Sequence, residues 1–230
     1  MPGSSGVADE ATEIVYGRNA VEEARRGRRA VHRVVTADDA SAAELARLAG
    51  SEDHQGVVAE VDPYPYASAP ELLEQPDALL VALDQVQDPR NLGAVCRSAE
   101  AAGAAGVVIC ERRAARVTAA VCKASAGAVE HIRVARVRNL ADWLGAAKRA
   151  GGWVYGADPG APTRYDQVDF NGLVVLVLGG EGKGIRPRVA ATCDALVAIP
   201  SAGRIGSLNV SAAGAVLLFE AARQRAHAPD

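Results

Sequence analysis

The chain has 230 residues, a formal net charge of -3, 49% hydrophobic and 23% charged residues, and 4% aromatics. This composition excludes disorder and collagen and fits a globular protein with room for a sizeable core. Its slight acidity speaks, at first sight, against a nucleic-acid partner. The four cysteines (Cys96, Cys110, Cys122 and Cys193) form no C-x-x-C pair. That argues against a zinc ribbon or a disulfide scaffold and fits a reducing, cytoplasmic setting. The first ten residues, MPGSSGVADE, lack the basic start and apolar stretch of a signal peptide. No apolar run approaches the length of a membrane span. The four histidines (His32, His54, His131 and His227) lack metal-ligand spacing, so no metal site is expected.

The spacing of Ala20, Val21 and Ala24 predicts a helix over 19–26. A strand is expected over 31–36, a helix over 42–49 and a second strand over 56–61. Residues 62–76 (DPYPYASAPELLEQP) hold four prolines. They cannot form one regular element and read as a linker. The second part alternates strands with helices. Strands are expected over 78–83, 106–110, 132–137, 153–157, 173–178 and 195–199. Helices are expected over 91–102, 118–127, 140–150, 187–193 and 210–225. Continuous apolar strands such as LVVLVL imply an α/β fold whose parallel sheet is covered on both faces. The resulting division is a small domain over 12–62, a linker over 63–77 and a larger domain over 78–227.

Charge is uneven along this plan. Residues 18–33 hold six arginines against Glu22 and Glu23, whereas residues 34–88 hold twelve acids against Arg47. Arg18, Arg25, Arg26, Arg28 and Arg29 are therefore candidates for contact with a polyanion. A solvated helix face explains such a cluster equally well.

Ligands of open α/β sheets bind at the carboxyl ends of the strands, and three such ends here carry unusual loops. In the first, LDQVQDPRNLGAVCRSAEAAG (83–103), Asn91 can cap a helix that carries Arg97. The second, LGGEGKGI (178–185), surrounds Glu181 and Lys183 with glycines. It matches neither a Walker A motif nor G-x-G-x-x-G, and Glu181 would repel a phosphate. The loop therefore suits a neutral or cationic ligand held by backbone groups. The third, IPSAGRIGSLNVSAAGAVLLFEAARQR (199–225), places Ser207 and Asn209 before a helix with a small-residue face from Ser211 to Ala215.

Taken in this order, the three loops resemble the motifs of the SpoU family of the SPOUT superfamily, the AdoMet-dependent RNA ribose 2'-O-methyltransferases. The group that methylates a guanosine of bacterial 23S rRNA is the most similar. YGRNAVEEARRG (16–27) and HQGVVAEV (54–61) resemble that family's small RNA-binding domain, related to ribosomal proteins. The stretch between Thr36 and His54 is shorter than usual, so a shortened domain is expected. The resemblance implies a trefoil knot, S-adenosyl-L-methionine as cofactor, RNA (rRNA above all) as partner, and a homodimer. It implies cofactor contacts from Leu178, Gly179, Glu181, Gly182, Ile199, Ser207 and Leu208. It implies a catalytic set of Arg97, Asn91, Glu181, Ser207 and Asn209. Arginine keeps its proton in proteins, so Arg97 is expected to position a phosphate and stabilise a developing alkoxide rather than act as a base. The motifs encode a reaction and not its target. A tRNA methyltransferase, an antibiotic-resistance rRNA methyltransferase and a non-catalytic RNA-binding assembly factor remain alternatives.

Overall fold

The computed structural model describes residues 12–204 and 206–227. In chain order the small part comprises β1 (Glu13–Tyr16), α1 (Arg18–Arg26), β2 (Val31–Thr36), α2 (Ala42–Ala49) and β3 (Val57–Val61). The large part comprises β4 (Leu79–Asp84), α3 (Pro89–Ala101), β5 (Gly106–Cys110), α4 (Ala119–Ala124), β6 (Val134–Val137), α5 (Leu140–Arg149), β7 (Trp153–Ala157), β8 (Thr163–Arg164), β9 (Val174–Gly179), α6 (Pro187–Ala190), β10 (Ala195–Ala198) and α7 (Val210–Arg225).

In the small part β3 lies between β1 and β2 in an antiparallel sheet. The strand β1 was not expected from the sequence. α2 is started by a capping box: the Ser41 hydroxyl accepts from the Glu44 N–H, and the Glu44 carboxylate accepts from the Ser41 N–H at 2.9 Å. A left-handed Gly50 stops it.

The large sheet runs β6-β5-β4-β9-β7-β10-β8, and every pairing in it is parallel. Alternate residues of each strand feed opposite cores, as the period of two requires. Leu79, Val81 and Leu83 of β4 face α3, α4 and α7, while Leu80 and Ala82 face α5 and α6. The first core continues without a break into Ala20, Val21 and Ala24 of α1. Both parts of the chain therefore share one hydrophobic interior. Burial pushes the Cys96 and Cys122 thiols within it up to about 12, which keeps them protonated and inert at neutral pH.

The proline-rich stretch 62–76 is irregular but not loose. Tyr64 is buried, and its hydroxyl donates to the Val129 carbonyl at 2.8 Å. The Tyr66 hydroxyl accepts from the Val117 N–H at 2.9 Å. Ala67 N–H donates to the Val134 carbonyl at 2.8 Å, and Leu72 is fully buried under the sheet. Aromatic and backbone groups thus fasten to the large sheet a segment read from its prolines as a linker.

The seam between the two parts also corrects the arginine reading. Arg29 is buried and does not face solvent. Its Nε donates to Glu130 Oε2 at 3.0 Å, its Nη2 donates to Glu130 Oε1, and its Nη1 reaches Glu13 Oε2 at 3.1 Å. Glu130 is 1% exposed, so the pair satisfies itself away from water. Arg28 donates from Nη2 to the Ile132 carbonyl at 2.8 Å and from Nε to the Glu130 carbonyl at 3.2 Å. Arg29 is unavailable to phosphate, and Arg28 is already committed to backbone. Close approach is enforced at Gly127 (φ 88°), where a Cβ would lie 2.4 Å from that of Glu23.

Candidate active site at the carboxyl edge of the sheet

The site is built where β4, β9 and β10 end. Asp84, the last residue of β4, is fully buried and needs a partner. Arg186 supplies it: its backbone N–H and its Nε both donate to the carboxylate at 2.8 Å, and its Nη2 does so at 2.7 Å. This clamp ties the far end of the glycine loop to β4. The near end is tied by the Gly180 N–H, which donates to the Asp84 carbonyl at 2.9 Å. The loop then folds on itself, with Gly184 N–H donating to the Gly180 carbonyl at 3.0 Å. At Gly179 any Cβ would sit 2.1 Å from the Gly184 carbonyl carbon, so only glycine fits.

The helix α3 begins earlier than the sequence suggested. Asp88 is its cap, accepting from the Arg90 N–H at 2.8 Å, and Pro89 follows at the first helical position. Asn91 is therefore not a cap. It is 6% exposed and turns its amide inward to donate to Glu181. Its oxygen accepts from Asn209 Nδ2 at 3.1 Å, and the same Nδ2 lies 3.3 Å from Glu181 Oε1. Asn209 Oδ1 caps α7 by accepting from the Ser211 N–H at 2.9 Å. Three residues up to 118 positions apart thus close a triangle that joins all three loops.

Beside this triangle is a cavity of about 500 Å³. Leu178, Gly179, Glu181, Gly182, Ile199, Ser207 and Leu208 all line it, as does Asn209. Val197 and Val210 add apolar wall, and Asp158 adds a second carboxylate that the sequence did not single out. No lysine or arginine lines it among the described residues.

Two expected site residues stand apart from this cluster. Ser207 is exposed on the cavity wall. Arg97 is exposed on the outer surface of α3 and makes no hydrogen bond or ion pair among the described residues. Six residues of helix separate it from Asn91 by roughly 9 Å along α3 and about a third of a turn around it. Of the remaining candidate RNA contacts, Arg26 is paired with Glu22 at 2.8 Å and Glu23 at 3.1 Å. Arg18 is exposed and donates to the Gln55 carbonyl at 3.3 Å. Arg25 is exposed beside His32 and Arg33, with which it lines a shallow surface depression. The Asp84–Arg186 clamp was missed. Its signal was an acid closing the apolar strand LLVALD, which folding must pair.

The comparisons agree with this geometry. Residues 78–219 match the SpoU rRNA Methylase family, and residues 38–67 match the RNA 2'-O ribose methyltransferase substrate binding family. YacO of Bacillus subtilis, named for the TrmH family of tRNA/rRNA methyltransferases, is 40% identical over 93% of this chain and 96% of its own. An uncharacterized tRNA/rRNA methyltransferase of Synechocystis is 36% identical over 97% of this chain, which spans 66% of that protein's length. The SpoU methyltransferase AviRb of Streptomyces viridochromogenes, crystallised with AdoMet, superposes with a TM-score of 0.80 at 27% identity over 95% of this chain and 92% of its own. An AdoMet-bound rRNA methyltransferase of Sinorhizobium meliloti superposes with a TM-score of 0.79 at 28% identity, over 92% of this chain and 87% of its own. A seven-stranded parallel sheet, a glycine loop clamped to its centre and a matched family model over most of the chain lead to one assignment: the chain belongs to the SpoU rRNA methylase family.

Proposed function

We propose that the chain transfers a methyl group from AdoMet to a ribose 2'-hydroxyl of structured RNA, with a guanosine of 23S rRNA as its target. The observation that carries this reading is the Asn91–Glu181–Asn209 triangle at the mouth of the cavity. The cavity fits AdoMet. Its volume is typical of small-molecule sites. Its walls offer backbone groups, apolar side chains and two carboxylates without a competing cation, which suits a sulfonium and not a phosphate. When bound, AdoMet supplies an electrophilic methyl group.

Leu178, Gly179, Gly182, Ile199 and Leu208 hold the cofactor, and Glu181 and Ser207 contact it from the loop ends. Asn91 and Asn209 orient the ribose. Arg97 holds the neighbouring phosphate and stabilises the alkoxide as the proton leaves to phosphate or water. Arg97 enters the site of a second copy of the chain in a homodimer. The exposed, apolar side of α7, with Phe219 52% exposed, is the face that copy covers. Residues 12–62 act as the substrate-binding domain and 63–77 as the connection to the catalytic domain, 78–227. The glycine loop and the stretch before α7 form the trefoil knot, and the protein works in the cytoplasm.

Incubation with labelled AdoMet and with bulk rRNA or tRNA, followed by mapping of 2'-O-methyl positions, tests the reading. Label at one ribose of 23S rRNA is the expected result. Label in tRNA alone overturns the target. AdoMet binding without label in either RNA overturns the activity and leaves the assembly-factor alternative. Gly179→Ala provides a local check, because the added methyl must displace the backbone at Gly184. AdoMet affinity measured by calorimetry should fall at least about tenfold, roughly 1.4 kcal/mol. Unchanged affinity would detach the loop from the cofactor.

A further inference from the structure

A second basic surface lies on the catalytic part, on the loop after β5. Residues 111–117 read ERRAARV, and Arg112, Arg113 and Arg116 are all exposed. None of the three makes a hydrogen bond or ion pair among the described residues. The one acid on the loop, Glu111, is drawn off by Arg138 at 3.4 Å.

The position of this loop is specific. Leu83 of β4 is in register with Ile109 of β5, so the loop leaves the same edge of the sheet as the active-site loops. Ala115 N–H donates to the Val86 carbonyl at 2.9 Å, which fastens the arginine loop to the segment that leads into Asn91. On its other side the loop meets the proline-rich stretch 62–76. Val117 N–H donates to the Tyr66 hydroxyl, and the Arg136 guanidinium lies over the Tyr66 ring, 4.1 Å from its centroid. Tyr66 packs edge-on against Tyr64 at 5.0 Å, and Arg28 reaches the Tyr64 hydroxyl at 3.4 Å. Exposed Arg112, Arg113, Arg116 and Arg136 thus lie between the tyrosine-bearing segment and the segment that leads into α3.

Backbone conformation supplies an independent sign. Arg113 has φ 56°, in the left-handed region that disfavours a long side chain. Only four non-glycine residues are built this way among those described, and Arg113 is the one arginine. A strained conformation that presents an unpaired cation is kept at the expense of stability and points to binding.

We propose that Arg112, Arg113 and Arg116 form a phosphate-contacting strip that carries the RNA backbone from the small domain to the reacting ribose. The proposal rests on the RNA-methyltransferase reading. It adds a surface on the catalytic domain that takes over where Arg28 and Arg29 are committed inside the protein. Its side chains are arginines, which grip phosphate oxygens through two parallel N–H groups and carry no base preference.

The test compares the wild type, the triple variant Arg112→Gln/Arg113→Gln/Arg116→Gln, and Arg149→Gln as a control on the far face. RNA affinity is measured by filter binding at several salt concentrations, and AdoMet affinity by calorimetry. The triple variant should bind RNA at least about 30-fold more weakly, and its log–log salt slope should flatten by roughly 2 to 3. AdoMet affinity should not change. Arg113→Gly separates binding from folding: its melting temperature should hold or rise, because glycine accepts the left-handed backbone, while RNA affinity falls. Unaltered RNA affinity and salt slope in the triple variant, with the wild type still methylating RNA, would overturn the strip. If the wild type binds RNA but methylates none, the functional reading fails instead, and the affinity comparison still decides the strip.

Discussion

Replacing Arg97 with alanine should abolish methyl transfer, by about 100-fold to 1000-fold or more, and leave AdoMet affinity intact. The magnitude is that of removing one preorganised group that stabilises developing negative charge. The separation of effects follows from position. Arg97 is exposed on α3 and lines no part of its own chain's cavity, so its loss leaves the walls of that cavity intact. Its exposure also makes the variant harmless to folding. If Arg97 acts in the site of the partner copy, as proposed, a mixture of Arg97→Ala and Gly179→Ala proteins at limiting AdoMet should recover partial activity through mixed dimers. Full turnover by Arg97→Ala on its RNA would remove the residue from the mechanism. No recovery on mixing would confine each site to one chain.

The largest effect on stability is expected at the seam. Arg29→Met leaves the Glu130 carboxylate buried without its partner, and removing one member of such a pair costs about 3–5 kcal/mol. The midpoint of chemical denaturation should drop accordingly. Arg29→Met/Glu130→Leu removes both charges and should restore most of the loss, since a well-packed apolar pair of similar volume is no worse than the ion pair. If Arg29→Met alone is neutral, water reaches Glu130 and the seam is looser than its hydrogen bonds indicate.

The regular elements were legible because their apolar residues repeat with the right period. α7 was read as 210–225 and α2 as 42–49, and both stand at those bounds. β1 was missed because EIVY is four residues long and its one strand partner is β3, more than forty residues away. β8, two residues paired solely to β10, leaves no pattern at all. The start of α3 was misplaced although Asp88–Pro89 is a good cap-and-proline signal. Asn91 drew attention instead because its side chain is suited to capping.

Composition cannot tell a buried arginine from an exposed one. Arg25 and Arg29 sit in the same basic run, yet Glu130, 101 residues further on, draws one of them inward. The residues around the cavity were legible through the family resemblance and the glycine pattern. Asp84 and Asp158 were not, because their importance comes from what other strands place opposite them.

The docked tyrosines of residues 62–76 and the Arg29–Glu130 pair have a consequence for target choice. A substrate-binding module on a floppy tether would deliver any ribose within reach of the tether. Here the module shares a hydrophobic core with the large sheet. On the proposed function, the span from the RNA feature gripped to the ribose methylated is then a built-in length, as in a ruler. An RNA in which that spacing is changed by one nucleotide should present the wrong ribose, whatever its sequence.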